Sequence, residues 1–158
     1  MVEPVPEGYA KITPYLVVRD CAAAIEFYKK AFGAEEIFRM LMPDSDRIMH
    51  AEIKVNGTPV MMTEEVPEWG SQSPLDLGGT PVSLHLYVPD IDSVYTRAQE
   101  AGCEPVMPPQ DMFWGDRFGR LKDPYGHSWS IATHVRDVSP EEMAEGAKQA
   151  FAKAAGDG

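Results

Sequence analysis

The sequence predicts an α+β protein in which two βαβββ modules form a curled mixed sheet around a cleft, with the helices outside. Three observations support this fold. A strand followed by an amphipathic helix occurs twice, strand-like segments follow each helix, and the two copies are offset by 69 to 70 residues. Since a repeated pattern marks a structural unit that is built twice, the 158-residue chain is interpreted as two small modules that share a core.

The first module opens with a β-rich run at 14–20 and continues with a helical pattern. The helix is expected to end at Gly33, since glycine readily takes the left-handed conformation that closes a helix. Its apolar face is formed by Ala24, Ile25, Phe27, Tyr28, Ala31 and Phe32. A further strand fits residues 35–42.

A β-hairpin is predicted to complete this module. Strand-like segments at 47–55 and 58–64 flank Asn56-Gly57. Asn-Gly is a strong hairpin signal because both residues tolerate the positive φ of a type I′ turn. A two-residue turn fixes the pairing, so that Ile53 opposes Val60, Glu52 opposes Met61 and His50 opposes Thr63.

The second module repeats the order of the first. A strand at 82–88 precedes a helical pattern that ends at Gly102, and its apolar residues are Ile91, Val94, Tyr95, Ala98 and Ala101. A strand at 103–108 is the counterpart of 35–42. Strands at 118–122 and 127–134 then flank the turn Asp123-Pro-Tyr-Gly126, where Tyr125-Gly126 follows Asn56-Gly57 by 69 residues.

A last helix is predicted from a capping box. Ser139 is a favourable N-cap, Pro140 suits the first turn, and Glu142 can bond back to the cap. The helix is expected to reach about Ala154 and to dock outside the barrel, with residues 156–158 fraying. The predicted organisation is an extension at 1–9, a module at 10–64, a linker at 65–80, a module at 81–138, and a helix with its tail at 139–158.

Composition excludes several classes of partner. Asp and Glu number 25 against 14 Lys and Arg, a formal charge of −11, and no basic cluster favours nucleic acid. No apolar run approaches the ~20 residues that a membrane helix needs. The acidic, proline-rich start does not resemble a secretory signal, which favours a cytoplasmic location. Cys21 and Cys103 have no metal-binding spacing, and we expect free structural thiols.

Strand alternation divides core residues from residues that face the cleft. Val82, Leu84, Leu86 and Val88, the hairpin residues Ala51, Ile53, Val60 and Met62, and Trp129 with Ile131 are predicted to face the helices. The opposite face is predicted to carry Tyr15, His50, Glu52, Met61, Thr63, Ser83, His85, Tyr87, Ser128 and Ser130. Such a mixed wall suits a small organic ligand, held by apolar contact and oriented by polar groups.

Loop residues leave alternatives open. Trp114 is expected either to cover a ligand in the cleft or to pack against the barrel end or a dimer partner. Trp69, in the linker, is a second lid or only part of the connection. His127 and His134 are predicted to lie at the surface, and Arg117 either pairs with Asp116 or meets an anionic ligand.

These features resemble the vicinal oxygen chelate superfamily, which contains glyoxalase I, bleomycin-resistance proteins and extradiol dioxygenases, and in particular its PhnB-like branch. The resemblance covers roughly residues 10–138. It rests on the motifs Val18-Arg-Asp20, Ile25-Glu-Phe-Tyr28, Ala31-Phe-Gly33, Val88-Pro-Asp90, Ala101-Gly102, Met112-Phe-Trp-Gly-Asp-Arg-Phe118 and Asp123-Pro-Tyr-Gly-His127.

The resemblance also implies where a metal would bind. Metal-dependent members hold a divalent cation with His, Gln or Glu at four positions, which correspond here to Thr13, Met61 (or Met62 after a one-residue slip), Ser83 and Ser130. Hydroxyl and thioether groups are weak ligands for zinc, nickel, manganese or iron. The usual metal site is therefore predicted to be absent, and no cofactor is expected.

Four functions remain open from the sequence. The favoured one is binding of a small organic molecule, aromatic or cationic, in the cleft. A metal-independent lyase, isomerase or transferase would use His50, His85 or Glu52 for proton transfer. A glyoxalase-type enzyme would need a relocated metal site on those three residues. A structural or regulatory dimer with a vestigial cleft is the last, and the resemblance implies a homodimer in any case.

Overall fold

A computed structural model describes residues 2–10 and 12–156 and confirms the α+β fold. The strands are β1 (Tyr15–Val18), β2 (Glu35–Leu41), β3 (Ile48–Val55), β4 (Thr58–Glu64), β5 (Ser83–Tyr87), β6 (Glu104–Asp111), β7 (Asp116–Lys122) and β8 (Ser128–His134). The helices are α1 (Cys21–Phe32), α2 (Pro74–Leu77), α3 (Ile91–Ala101) and α4 (Pro140–Gly156). Each predicted strand and long helix is therefore present, with ends that differ by a few residues.

Two separate four-stranded sheets carry the repeat. Their orders are β1-β4-β3-β2 and β5-β8-β7-β6. Strand β1 pairs in parallel with β4, and β5 with β8, whereas the other pairs are antiparallel. Because the first strand of each unit lies at a sheet edge, β1 and β5 are free to adjoin one another. The two units thus follow one pattern twice.

The predicted hairpin register is confirmed. Glu52 pairs with Met61 and Ile53 with Val60. Asn56 and Gly57 have φ values of 49° and 81°, as a type I′ turn requires. The ladder does not include His50 opposite Thr63; instead the Thr63 hydroxyl donates to the Met49 carbonyl at 2.8 Å.

The helix ends are fixed by local hydrogen bonds. The Asp20 side chain accepts from the Ala23 amide at the start of α1, and Glu64, at the end of β4, accepts from the Asp20 and Cys21 amides at 2.8 and 3.0 Å. At the other end Gly33, with φ 67°, bonds back to the last turn. A buried carboxylate on these free amides satisfies donors that a helix cannot satisfy itself.

The two modules meet edge to edge. The Asn56 side chain donates to the Tyr87 carbonyl at 3.1 Å, and the His127 Nε2 lies 2.9 Å from the Val17 carbonyl, so each hairpin tip contacts the first strand of the other module. Helices α1 and α3 lie against each other on one side of the sheets. His127, which was predicted to lie at the surface, is half-buried in this contact.

Burial agrees with strand alternation at all but one of the predicted core positions. The hairpin residues of the predicted core, together with Trp129 and Ile131, are at most 4% exposed, and Leu84, Leu86 and Val88 pack against the core. Val82 is the exception: it is 63% exposed, because it precedes β5 and does not enter the sheet.

Desolvation raises the pKa of both cysteine thiols, Cys21 and Cys103, to about 12, which agrees with the prediction of structural thiols.

The connections hold more structure than the sequence predicts. The interval 65–80 contains a 3₁₀ turn, Pro67–Trp69, as well as α2, and Trp69 remains 70% exposed.

The capping box of α4 is confirmed by the reciprocal bonds of Ser139 and Glu142, at 2.9 and 3.2 Å. The helix continues to Gly156, past the predicted end; residues 157 and 158 lie outside the described part. No helix in the described ranges is long and apolar enough to cross a membrane.

Candidate functional site

Four polar side chains form a hydrogen-bonded chain on the first sheet. They lie on its cleft face, by which we mean the sheet face opposite α1 and α3. The Tyr9 hydroxyl, from the N-terminal segment, donates to Glu52 Oε2, and His50 Nε2 lies 3.0 Å from Glu52 Oε1. His50 Nδ1 is in turn 3.0 Å from the Tyr15 hydroxyl. The structure thus brings His50, Glu52 and Tyr15 together, as strand alternation predicts.

The direction of proton donation follows from the carboxylate. Hydrogen bonds from Tyr9 and then His50 lower the pKa of Glu52, so this group is ionised and only accepts. The proton of a neutral His50 ring therefore lies on Nε2, and Nδ1 accepts from Tyr15. Tyr15 is 55% exposed. Its phenol is therefore at the exposed end of the hydrogen-bonded chain.

The second sheet presents an aromatic wall on its cleft face. The His85 ring stacks on Phe118 with centroids 6.0 Å apart and meets Tyr87 edge-on at 4.7 Å. Trp114 lies 5.7 Å from Phe118, so the loop after β6 extends this wall. Among the described contacts, His85 Nδ1 bonds to Ser130 at 2.7 Å and Nε2 has no partner.

Asp116 is a buried acceptor beside the aromatic wall. It is 5% exposed and accepts from the Tyr87 hydroxyl at 3.0 Å, while His134 Nδ1 lies 2.8 Å from its other oxygen. The prediction that Asp116 pairs with Arg117 is wrong. Neighbouring residues on a strand point to opposite faces, and Arg117 instead binds Asp92 and Asp111.

His134 is held between two carboxylates. Its Nε2 lies 2.9 Å from Asp137, and both ring nitrogens can donate only when the ring is protonated. The hydrogen bond to Asp137, followed by that to Asp116, raises the pKa of His134. His134 is exposed, as predicted, but it is fixed by these bonds.

We expect a pH effect from this histidine. A raised folded pKa means that His134 contributes stability below its unfolded pKa, and that this contribution is lost as pH rises through the folded pKa. An NMR titration should therefore show His134 titrating above its ordinary value, and Asp137→Asn should bring the pKa down. If His134 has the same pKa in the unaltered protein and in the Asp137→Asn variant, the Asp137 contact does not persist in solution.

The four positions that the resemblance assigns to a metal carry unsuitable donors. Ser83 shares a hydrogen bond with Ser128 at 3.0 Å, Ser130 bonds to His85, and the Thr13 hydroxyl donates to the Ala10 carbonyl at 3.2 Å. The fourth side chain, Met61, is a thioether. Hydroxyls engaged in this way, with one thioether, do not fit zinc, manganese or iron.

The three candidate ligands of a relocated site lie on different sheets. His85 lies on the second sheet, whereas His50 and Glu52 lie on the first. Over residues 2–10 and 12–156, no group of three or more His, Cys, Asp or Glu side chains is placed to hold a metal ion. The three residues that the sequence groups together are thus divided between two modules.

Among the cavities that adjoin the cleft-face residues, two border Glu52 and His85. One, of about 530 Å³, lies between the N-terminal segment and the first sheet, and Tyr9, Glu52 and Met61 line it. The other, of about 210 Å³, lies at the seam between the modules and reaches Ser83 and His85.

Three residues of these walls were not predicted from the sequence. Phe118 and Asp116 follow from the pairing of β7 with β8, which places them on the same face as Ser130. Extending the alternation into β7 would have found both. Tyr9 carries no such signal, since it belongs to no strand or helix.

Comparison with known proteins gives one consistent family. Residues 9–131 match the model of the Glyoxalase/Bleomycin resistance protein/Dioxygenase superfamily. An uncharacterised protein of Mycobacterium bovis is 43% identical over 150 residues, which is 93% of this chain and 95% of that protein.

Solved structures share the fold. A PhnB protein of Bacillus cereus is 25% identical, with a TM-score of 0.60, covering 78% of this chain and 99% of its own. The fosfomycin resistance protein FosX of Listeria monocytogenes, solved with Mn(II), is 18% identical with a TM-score of 0.57, covering 83% and 91%. At that identity, FosX shows the likeness of fold alone.

Proposed function

This chain belongs to the Glyoxalase/Bleomycin resistance protein/Dioxygenase superfamily, and on that premise we propose that it binds a small organic molecule on its cleft faces without a resident metal ion. The aromatic wall of His85, Tyr87, Phe118 and Trp114 carries this proposal. Each ring packs against a neighbouring ring, either stacked or edge-on, and Tyr87 is 56% exposed. A rigid aromatic surface with a few polar groups favours an organic ligand.

The polar groups beside the wall supply orientation. His85 Nε2, together with the hydroxyls of Ser83, Ser128 and Ser130, faces the same side as the rings. On the first sheet Tyr15, His50, Glu52, Met61 and Thr63 offer a second, more polar wall. The seam cavity adjoins Ser83 and His85, so a bound molecule is able to reach both modules.

The donor chemistry supports the metal-independent form of the proposal. A hydroxyl already engaged in a hydrogen bond must lose that bond to coordinate a cation, and it then offers only a neutral oxygen. Manganese and zinc prefer carboxylate or imidazole ligands. We therefore assign Thr13, Met61, Ser83 and Ser130 to ligand contact rather than to metal binding.

The test is a ligand screen followed by substitution in the wall. We expect aromatic compounds to raise the melting temperature, and Trp114→Ala to weaken the best of them about tenfold, equivalent to ~1.4 kcal/mol. Trp69→Ala removes an exposed indole from the linker and should leave affinity unchanged. Equal losses in the two variants, or no ligand for the unaltered protein, would rule out the aromatic wall as the site.

Proton transfer is the second candidate, and the chain Glu52–His50–Tyr15 favours it. An ionised carboxylate that orients a histidine, which in turn accepts from a phenol, is the arrangement of an acid–base relay. Such a relay would support a lyase, isomerase or transferase that needs no metal. If a ligand found in the screen is also converted, Tyr15→Phe should abolish turnover while binding is retained; unchanged turnover would exclude Tyr15.

A homodimer is also proposed. Strand β2 lies at a sheet edge, and its apolar side chains Ile37, Phe38, Met40 and Leu41 are 43% to 49% exposed. Phe38 and Met40 pair with Glu52 and His50, so they extend the cleft face. A second copy would cover this surface, and sedimentation equilibrium should give twice the chain mass of 17.5 kDa. The cytoplasmic location stays a prediction.

A further inference from the structure

We propose that the cavity beneath the N-terminal segment is a subsite for an organic ammonium ion, with Glu52 as its counter-ion. This proposal deepens the proposed function and rests on it, because it names the class of ligand and a second place where that ligand is held.

The cavity is built between two parts of the chain. Its roof is the segment at 4–6 together with Tyr9, and its floor is formed by Glu52 and Met61 of the first sheet. The Tyr9–Glu52 hydrogen bond joins the roof to the floor. With a volume of about 530 Å³, the space is large enough for a single aromatic ring with a short side chain.

The floor carries the negative charge of Glu52. The Glu52 side chain is only 18% exposed, and Tyr9 followed by His50 lowers its pKa by hydrogen bonding. Both partners donate to the carboxylate, and neither is a permanently charged group such as Lys or Arg. None of the described residues that line the cavity is Lys or Arg. A cationic group is the ligand that would complete this site.

The carboxylate retains capacity for further donors. Its two oxygens offer about four acceptor positions, of which Tyr9 and His50 occupy one each. The N–H groups of an ammonium ion can therefore bind without displacing either residue. The walls suit the rest of such a ligand, because an aromatic face stabilises a cation and the Met61 thioether packs against rings.

The overall charge acts in the same direction. With a formal charge of −11, the molecule attracts cations and repels anions on approach. A neutral molecule of the same shape would gain the apolar contacts but not the attraction to Glu52. Matched cationic, neutral and anionic probes therefore measure the total electrostatic contribution to binding, and Glu52→Gln removes the part that comes from the carboxylate.

The experiment uses protein labelled with ¹³C at the methionine methyl groups and three probes: benzylamine, benzyl alcohol and benzoate. We expect benzylamine to shift the Met61 methyl signal in a saturable manner. Benzyl alcohol should bind about tenfold more weakly, equivalent to ~1.4 kcal/mol, and benzoate should not bind. Met143, on α4, does not line this cavity, and its signal should not respond to binding there.

Two variants test the counter-ion. Glu52→Gln keeps the shape of the side chain and should make benzylamine and benzyl alcohol bind equally. Glu35→Gln, which neutralises an exposed carboxylate on the same sheet, should leave the preference intact. If Glu52→Gln does not fold, the unaltered protein still decides the matter. Salt screens the overall charge much more than a partly buried ion pair, so benzylamine should remain the tighter ligand at high salt, and equal affinities there would overturn the counter-ion.

The outcomes separate this subsite from the proposed function. If benzylamine does not shift the Met61 signal, the subsite proposal is wrong. It is also wrong if the amine and the alcohol bind with equal affinity. If the probes then shift only the Trp114 indole signal, the aromatic wall still binds ligand and the proposed function stands. If Met61 responds to benzylamine while no compound ever perturbs Trp114, the subsite is supported and the aromatic wall is not the principal site.

Discussion

Replacement of Asp123 by alanine is expected to lower the free energy of unfolding by roughly 3–5 kcal/mol, since a buried donor left without its acceptor costs ~1–3 kcal/mol. Asp123 is 3% exposed and accepts from the Tyr28 hydroxyl at 2.6 Å and from the Trp129 indole at 2.9 Å. It also accepts from the Tyr125 and His127 amides, at 2.9 and 3.0 Å. Alanine leaves all four donors without this partner.

The position of Asp123 explains why the loss should be large. Tyr28 belongs to α1 in the first module, whereas Asp123 and Trp129 belong to the second, so the carboxylate joins the two modules through their shared core. Burial, strengthened by the charge of Asp123, raises the pKa of Tyr28 well above its ordinary range, and the phenol therefore remains a donor. The same change removes a turn-forming acceptor and a contact between modules.

Urea unfolding followed by circular dichroism would measure the effect. We expect a lower midpoint, and a melting temperature reduced by about 10 °C, since ~1 kcal/mol corresponds to about 2–4 °C at this size. Asp123→Asn keeps one acceptor, and its stability should lie between that of the unaltered protein and that of Asp123→Ala. Asp46→Ala, an exposed position with no described side-chain partner, should lie within about 0.5 kcal/mol of the unaltered protein. An Asp123→Ala protein of normal stability would contradict this account.

Replacement of Gly115 by alanine should have a comparable effect for a steric reason. A Cβ at this position would lie 2.2 Å from the Arg136 carbonyl oxygen and 2.9 Å from a methyl group of Val138. Gly115 also has φ +101°, which side chains rarely adopt. Strain and overlap with backbone each cost ~1–3 kcal/mol, so we expect a loss of roughly 3–5 kcal/mol.

This substitution should also change the aromatic wall. The Gly115 carbonyl accepts from the Val135 and Arg136 amides, at 2.9 and 3.1 Å, and thereby holds the loop that carries Trp114. A shift of the loop to relieve the overlap would move Trp114 away from Phe118. Weaker ligand binding and altered tryptophan fluorescence are the expected consequences.

Gly70→Ala is the matched control for this prediction. Gly70 has φ +80° but no atom within 4 Å of an added Cβ, so the change tests the backbone cost alone, about 1–2 kcal/mol. A larger loss for Gly115→Ala than for Gly70→Ala assigns the difference to the collision with Arg136. Equal losses would show that the loop adjusts freely.

The homodimer and the two cleft-face walls can be considered together. The relay of Tyr15, His50 and Glu52 lies on the first sheet, and the aromatic wall lies on the second. Exposed apolar side chains on β2 border the relay, so a partner seated there would bury the surface that surrounds it. Binding of ligand and association of chains are then expected to depend on one another, since both cover the same face.

Features that depend on neighbours along the chain could be predicted from the amino-acid sequence. The type I′ turn at Asn56-Gly57 and the capping box at Ser139 are local, and alternation on β3 and β4 reports burial residue by residue. The repeat of strand, helix and hairpin supplied the fold class, because two copies of one pattern constrain each other. These predictions needed no knowledge of distant contacts.

The pairs of side chains that meet across the molecule depend on tertiary packing. Alternation places His50, Glu52 and His85 on a cleft face, but it gives no distance between strands of different sheets. The bond from Tyr9 to Glu52 joins residues 43 positions apart, and that from Tyr28 to Asp123 joins residues 95 apart. Partners so far apart in the chain are selected by the packing of α1 and the N-terminal segment against the sheets. The periodicity of apolar residues along the sequence does not specify that packing.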